Sequence, residues 1–178
     1  MKILVYYATT EGQTRKIAEF VGKQLGGDEV TMVDATNVPA ALDLDRFDAA
    51  FLAASLHMHK YQPALVQFAR DHHSKLNEVP SLLISVSLAA AGDDPEDRNG
   101  LALCEEKFKA ETEWTPWQVL DVAGAFRFTK YDFFKGWVMR RIAKEKKVKV
   151  NPHEDLELTD WERLARDIKA FRAQIGGT

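Results

Sequence analysis

Five short apolar runs, each separated from the next by room for a helix, constrain this 178-residue chain more than any other feature. They lie at residues 2–8 (KILVYYA), 29–33, 48–54 (DAAFLAA), 81–87 (SLLISVS) and 118–123 (QVLDVA) and read as strands, the first with the apolar, β-branched and aromatic character of a buried parallel strand. Helical stretches are expected at about 15–25, 63–73 and 99–111, with two more at about 131–146 and 159–174. In the first of these, Ile17, Ala18, Val21 and Leu25 recur at helical spacing and Gly26-Gly27 stops the run. Strands separated by helices pair in parallel and are covered on both faces, which makes a doubly wound, three-layer α/β domain. There is no internal repeat or low-complexity linker, and residues 148–155 around Asn151-Pro152 read as a loop between the last two helices. One domain, residues 1–178, is expected.

With 46% hydrophobic and 29% charged residues, the collagen-like, disordered and disulfide-framework classes drop out. A single cysteine, Cys104, cannot form an internal disulfide and fits a reducing compartment. It lies in a helical pattern with Leu101 and Phe108 and reads as a small core residue. No run of apolar residues is long enough to span a bilayer, and the N-terminus lacks the pattern of a signal peptide. A cytoplasmic location follows as the expectation.

The net charge of −3 hides an asymmetry. Between residues 127 and 150 stand nine cations: Arg127, Lys130, Lys135, Arg140, Arg141, Lys144, Lys146, Lys147 and Lys149. Only Asp132 and Glu145 oppose them, so the segment carries +7 and the remainder −10. An acidic body with one basic segment points to a local anionic partner and not to nucleic acid. Phe134, Trp137, Val138 and Ile142 fall on one helical face and Arg140, Lys144 and Lys147 mainly on the other. Such a helix can lie on an anionic membrane at the inner face of the cell envelope, or pack on the sheet with a solvated cationic face.

In a doubly wound sheet ligands bind beyond the carboxyl ends of the strands, where strand order reverses. The loop after the first strand, Thr9-Thr10-Glu11-Gly12-Gln13-Thr14, sets three hydroxyls and a glycine ahead of a helix. Unpaired N–H groups and the helix dipole make such a start a cradle for a phosphate, while an ordinary threonine N-cap explains the same residues. The loop is neither a P-loop nor a G-x-G-x-x-G dinucleotide fingerprint. After the third strand, His57-x-His59 offers two nitrogen donors but no companion carboxylate at ligand spacing, so no metal is expected. His72-His73 is placed at a helix end, solvated or capping.

An N-terminal strand followed by T-T-E-G-Q-T resembles the FMN-phosphate loop of flavodoxins, with Glu11 inserted as a departure from the common pattern. The variant spacing is similar to that of the bacterial, flavodoxin-like, quinone-dependent protoporphyrinogen dehydrogenases. The likeness continues through Ala54-Ser55-Leu56 with His57 to Tyr61, Val86-Ser87-Leu88, Ala123-Gly124-Ala125 with Arg127 and Tyr131, and Thr159-Asp160-Trp161. It implies strand order 2-1-3-4-5 and one noncovalent FMN. Thr9, Thr10, Glu11, Gly12, Gln13 and Thr14 would hold the phosphate; Ser55, Leu56, His57, Met58 and His59, with Ser87, Leu88, Ala89 and Ala90, would flank the ring. Residues 88–92 lack the tyrosine or tryptophan that many flavodoxins stack on the ring, a departure that leaves one ring face open for a bulky substrate.

The activity implied is oxidation of protoporphyrinogen IX to protoporphyrin IX in haem biosynthesis, with a membrane quinone as acceptor. Arg127, Lys130, Lys135, Arg140, Arg141 and Lys144 would meet substrate propionates or an anionic membrane. No catalytic side chain is assigned, because the flavin carries the electron chemistry. A homo-oligomer is compatible with this reading. An electron-shuttle flavodoxin with a basic tail, an FMN-dependent quinone reductase and a domain without flavin remain as alternatives.

Overall fold

The computed structural model describes residues 1–126 and 156–177. Its main sheet joins β1 (Lys2–Ala8), β2 (Glu29–Asp34), β3 (Ala49–His57), β5 (Ser81–Ser87) and β6 (Gln118–Ala123) in the order β2-β1-β3-β5-β6, every pair parallel. This is the expected 2-1-3-4-5 order. The labels shift only because a two-residue strand, β4 (Lys60–Tyr61), folds back antiparallel onto the end of β3. Helices α1 (Gln13–Gln24), α2 (Pro63–Glu78), α3 (Pro95–Thr112) and α4 (Trp161–Gly176) cover the two faces.

The two-residue period of the strands divides the core. Ile3, Val5, Phe51, Ala53, Ile84 and Val86 face α1 and α4, where they meet Ile17, Val21, Ile168 and Phe171. Leu4, Tyr6, Leu52, Ala54 and Leu83 face α2 and α3, where they meet Leu65, Phe68 and Phe108. β5 is buried along its whole length, so it carries no charged residue and its only polar ones are the small serines Ser81, Ser85 and Ser87. Phe51 meets Phe171 edge-on at 5.4 Å between centroids, and Tyr6 stacks on Phe68 at 4.0 Å, each ring burial contributing roughly 1.5–3 kcal/mol. Cys104 is buried on α3, as its helical spacing implied.

Local chemistry moves several boundaries. α3 begins at Pro95, four residues before the expected start, because Asp94 accepts from the Glu96 N–H as N-cap and Pro95 needs no donor in the first turn. α2 runs on to Glu78, so His72 and His73 lie inside it and not at its end. There His72 packs its ring on Phe68 and His73 Nδ1 lies 2.8 Å from the Arg70 carbonyl. The expected loop 55–61 is largely a hairpin: Leu56 pairs with Tyr61, and His57 with Lys60. The expected helix at 131–146, the loop at 148–155 and the basic cluster lie outside the described residues. At their margin, β7 (Ala125–Phe126) pairs antiparallel with β8 (Leu156–Glu157), Phe126 opposite Leu156.

Candidate functional site

A cavity of about 430 Å³ opens at the carboxyl ends of β1, β3 and β5, between the first helix start and the hairpin. It stands at the switch point, where β1 has neighbours on both sides and the chain turns to build the sheet in the other direction.

The end nearest β1 is built by the threonine loop. Gly12 occupies the N-cap of α1 with φ 89°, a left-handed conformation that a side chain strains against, and no side chain caps the helix. Thr9 is the turn's own brace: its Oγ1 accepts from the Gly12 N–H at 2.9 Å. The threonine-cap explanation therefore fails for α1, whose first N–H groups are left to whatever occupies the cavity. Thr9, Glu11, Gln13 and the buried Thr14 line this end. Thr10 and Gly12 do not line it: Thr10 Oγ1 accepts from the Gln62 amide, which also donates to Ser55 Oγ at 2.9 Å. Gln13 Nε2 donates to Thr159 Oγ1 at 2.9 Å, and that hydroxyl donates to the Ala123 carbonyl at 2.7 Å.

The wider end is bounded by two walls. Ser55, Leu56, His57, Met58 and His59 form one, with Met58 and His59 in the two turn positions at φ 48° and 61°. Both carry side chains where a tight hairpin of this hand favours Asn-Gly. Ser87, Leu88 and Ala89 form the second, leading into a single 3₁₀ turn at Ala89–Ala91. Ala90 does not line the cavity; its N–H donates to Ser87 Oγ at 3.2 Å. Neither wall carries a tyrosine or tryptophan into the cavity.

Sequence reasoning missed a third wall. Glu96, Asp97, Gly100 and Leu101 of α3 close the cavity, together with Gly124 and Ala125 beyond β6. The Asp94-Pro95 helix-start signal was the clue, since it carries α3 far enough back to reach the strand ends. Gln62 had no signal of its own beyond standing before Pro63 at the head of α2. Burial pushes the Tyr61 hydroxyl and the Cys104 thiol up, so both stay protonated behind the hairpin. Among the described residues no cluster of His, Cys, Asp and Glu is arranged to hold a metal.

Among the described residues the lining thus offers donors at one polar end, a slot walled without a tyrosine or tryptophan, and three carboxylates but no lysine or arginine. Compared with known families, residues 4–152 match the one described as Flavodoxin domain. The chain belongs to the flavodoxin family. This flavodoxin is 30% identical, over 174 residues, to the protoporphyrinogen IX dehydrogenase (quinone) of Escherichia coli (strain K12), an alignment that covers 93% of this chain and 91% of that protein. A protein of Leishmania major with the same name is 26% identical over 97% of this chain and 75% of its own length. Among solved structures, a short-chain flavodoxin associated with a non-canonical PDU bacterial microcompartment superposes with a TM-score of 0.60 at 15% identity, covering 98% of this chain and 99% of that one. The flavodoxin of Streptococcus pneumonia TIGR4 gives 0.58 at 16% identity, with coverage of 98% and 99%.

Proposed function

We propose that this flavodoxin is an FMN-dependent oxidoreductase that converts protoporphyrinogen IX to protoporphyrin IX with a membrane quinone as electron acceptor. The observation that carries the reading is the reach of the likeness: it spans 93% of the chain and 91% of the dehydrogenase, where a shared phosphate loop would account for a few residues. The cavity fits the cofactor. Thr9, Gln13, Thr14 and the uncapped N-terminus of α1 would hold the phosphate; Thr10 and Gly12 shape that loop from behind; residues 55–59 and 87–89 would flank the ring. Bound there, FMN supplies the redox chemistry, taking electrons from the porphyrinogen and passing them to the quinone.

The remaining tasks fall to the chain. The Ser87–Ala89 wall brings no tyrosine or tryptophan to stack on the ring, which suits a bulky ring system beside the flavin. Glu11, Glu96 and Asp97 make the cavity lining acidic, which favours a pose with the substrate's propionates turned away from it. The basic segment that follows β7 in sequence, with Arg127, Lys130 and Lys135, is suited by charge to receive them. Arg140, Arg141 and Lys144 are suited to an anionic membrane surface where the quinone resides. Among the described residues no helix is long and apolar enough to cross a membrane, so contact with the bilayer would be peripheral. Replacing Arg140, Arg141 and Lys144 by glutamate should release the protein from anionic vesicles in a sedimentation assay; undiminished binding refutes the membrane role.

The deciding experiment supplies FMN-loaded protein anaerobically with protoporphyrinogen IX and a quinone and follows porphyrin fluorescence. Quinone-dependent growth above the protein-free control is the expected result. A flat trace with flavin still bound refutes the dehydrogenase reading and moves an electron-carrier role ahead.

A further inference from the structure

α3 holds the hairpin turn in a notch. Gly100, Cys104 and Phe108 are spaced four residues apart and so share one stripe of the helix. Phe108 packs on Tyr61, the last residue of the hairpin, at 4.8 Å between ring centroids. Cys104 Sγ donates to the His59 carbonyl at 3.6 Å and lies 3.7 Å from His59 Nδ1. Gly100 faces the same ring: a Cβ there would stand 3.8 Å from His59 Cε1, an ordinary contact, so the half of the imidazole turned to α3 passes over this position. With its one proton given to the carbonyl, the thiol can meet the ring only as an acceptor, and the arrangement then requires the imidazole proton on Nδ1. The same thiol therefore grips both ends of a residue whose backbone is left-handed at φ 61°.

We propose that His59 is a positioning residue: its imidazole, seated against Gly100 and Cys104, locks the left-handed Met58-His59 turn and so preforms the wall that takes the flavin ring. The proposal rests on the cofactor reading for its consequence but not for the anchor itself. Glu11, His57, Glu96 and Asp97 line the same cavity, and Lys60 and Glu105 neighbour the anchored pair in sequence. None of them is needed for the grip. A wall fixed in advance spares the ligand the cost of ordering it, so the effect falls on ring affinity and not on the phosphate end.

The test has two arms. Without ligand, ¹⁵N NMR of the histidine side chains should find His59 with its neutral-state proton on Nδ1. In Cys104→Ala that proton should shift to Nε2, and in Cys104→Ser it should stay. A wild-type Nε2–H form overturns the anchor even if no flavin ever binds. With ligand, riboflavin reads the ring subsite alone because it lacks the phosphate. His59→Gly, which suits a left-handed turn and should fold, is expected to weaken riboflavin by about tenfold. It should also alter the bound flavin's visible spectrum while leaving the inhibition constant of inorganic phosphate against FMN unchanged. Wild-type riboflavin affinity and spectrum in folded His59→Gly overturn the proposal. Failure of the wild-type protein to bind any flavin refutes the cofactor reading instead, and the NMR arm then decides the anchor alone.

Discussion

One methyl group at position 12 is enough to disturb the narrow end of the cavity. Gly12 sits at φ 89°, so Gly12→Ala should lower stability by roughly 1–2 kcal/mol, measured by urea denaturation, and weaken FMN more than riboflavin. Asp28 offers a second single-residue test. Arg172 grips its carboxylate at 2.6 and 2.8 Å, and the N-terminal ammonium lies 2.9 Å away. The arginine's hydrogen bonds, helped by the ammonium and opposed by burial, hold the carboxyl down at about 2 instead of 3.8. A lowered folded-state value means the contribution is complete above pH 4 and drains away as pH falls toward 2. Asp28→Asn should therefore lose about 2 kcal/mol at neutral pH and show a flatter acid limb in melting experiments. Neither effect was visible in the sequence. Gly12 stood out as a flexible residue, but its hand and the pairing of Asp28 with a residue 144 positions away depend on the folded chain.

Elements meet at Thr159, which joins the head of α4 to the end of β6 and to the phosphate loop through Gln13. Thr159→Val keeps the shape and removes both bonds, leaving the Gln13 amide and the Ala123 carbonyl to find new partners. The expected cost is about 1–2 kcal/mol in thermal unfolding, with a matching loss of FMN affinity. A stability loss with unchanged affinity would detach Thr159 from the site. At this scale the sequence was legible wherever one residue pattern dominated. The five strands came from runs of apolar residues, and α1 from Ile17, Ala18 and Val21 at helical spacing. The hairpin stayed hidden because Met58-His59 is not a turn dipeptide, although both residues are left-handed at φ 48° and 61° and Tyr61 packs on α3 through Phe108. The α3 wall was missed because the weakly patterned stretch after Pro95 hid the helix start that Asp94 marks.

For the molecule as a whole, a parallel sheet covered on both faces followed from strand–helix alternation, because parallel strands need crossovers, while the strand order came from the family resemblance. Cavity shape did not follow, since it depends on how far each loop leans over the strand ends. The antiparallel contact of Phe126 with Leu156 bears on the molecule at this scale too. Chain leaves and returns at adjacent positions, and a two-residue Asn-Gly link of the hairpin type is long enough to join them. Deleting residues 127–155 across such a link should give a folded protein that still turns yellow with FMN. Its vesicle binding and porphyrinogen turnover should be gone, as sedimentation and fluorescence would register. A doorway of this kind lets evolution trade one appendage for another without renegotiating the core. The flavin-binding body and the sequence that runs between those two strand ends can then change at different rates.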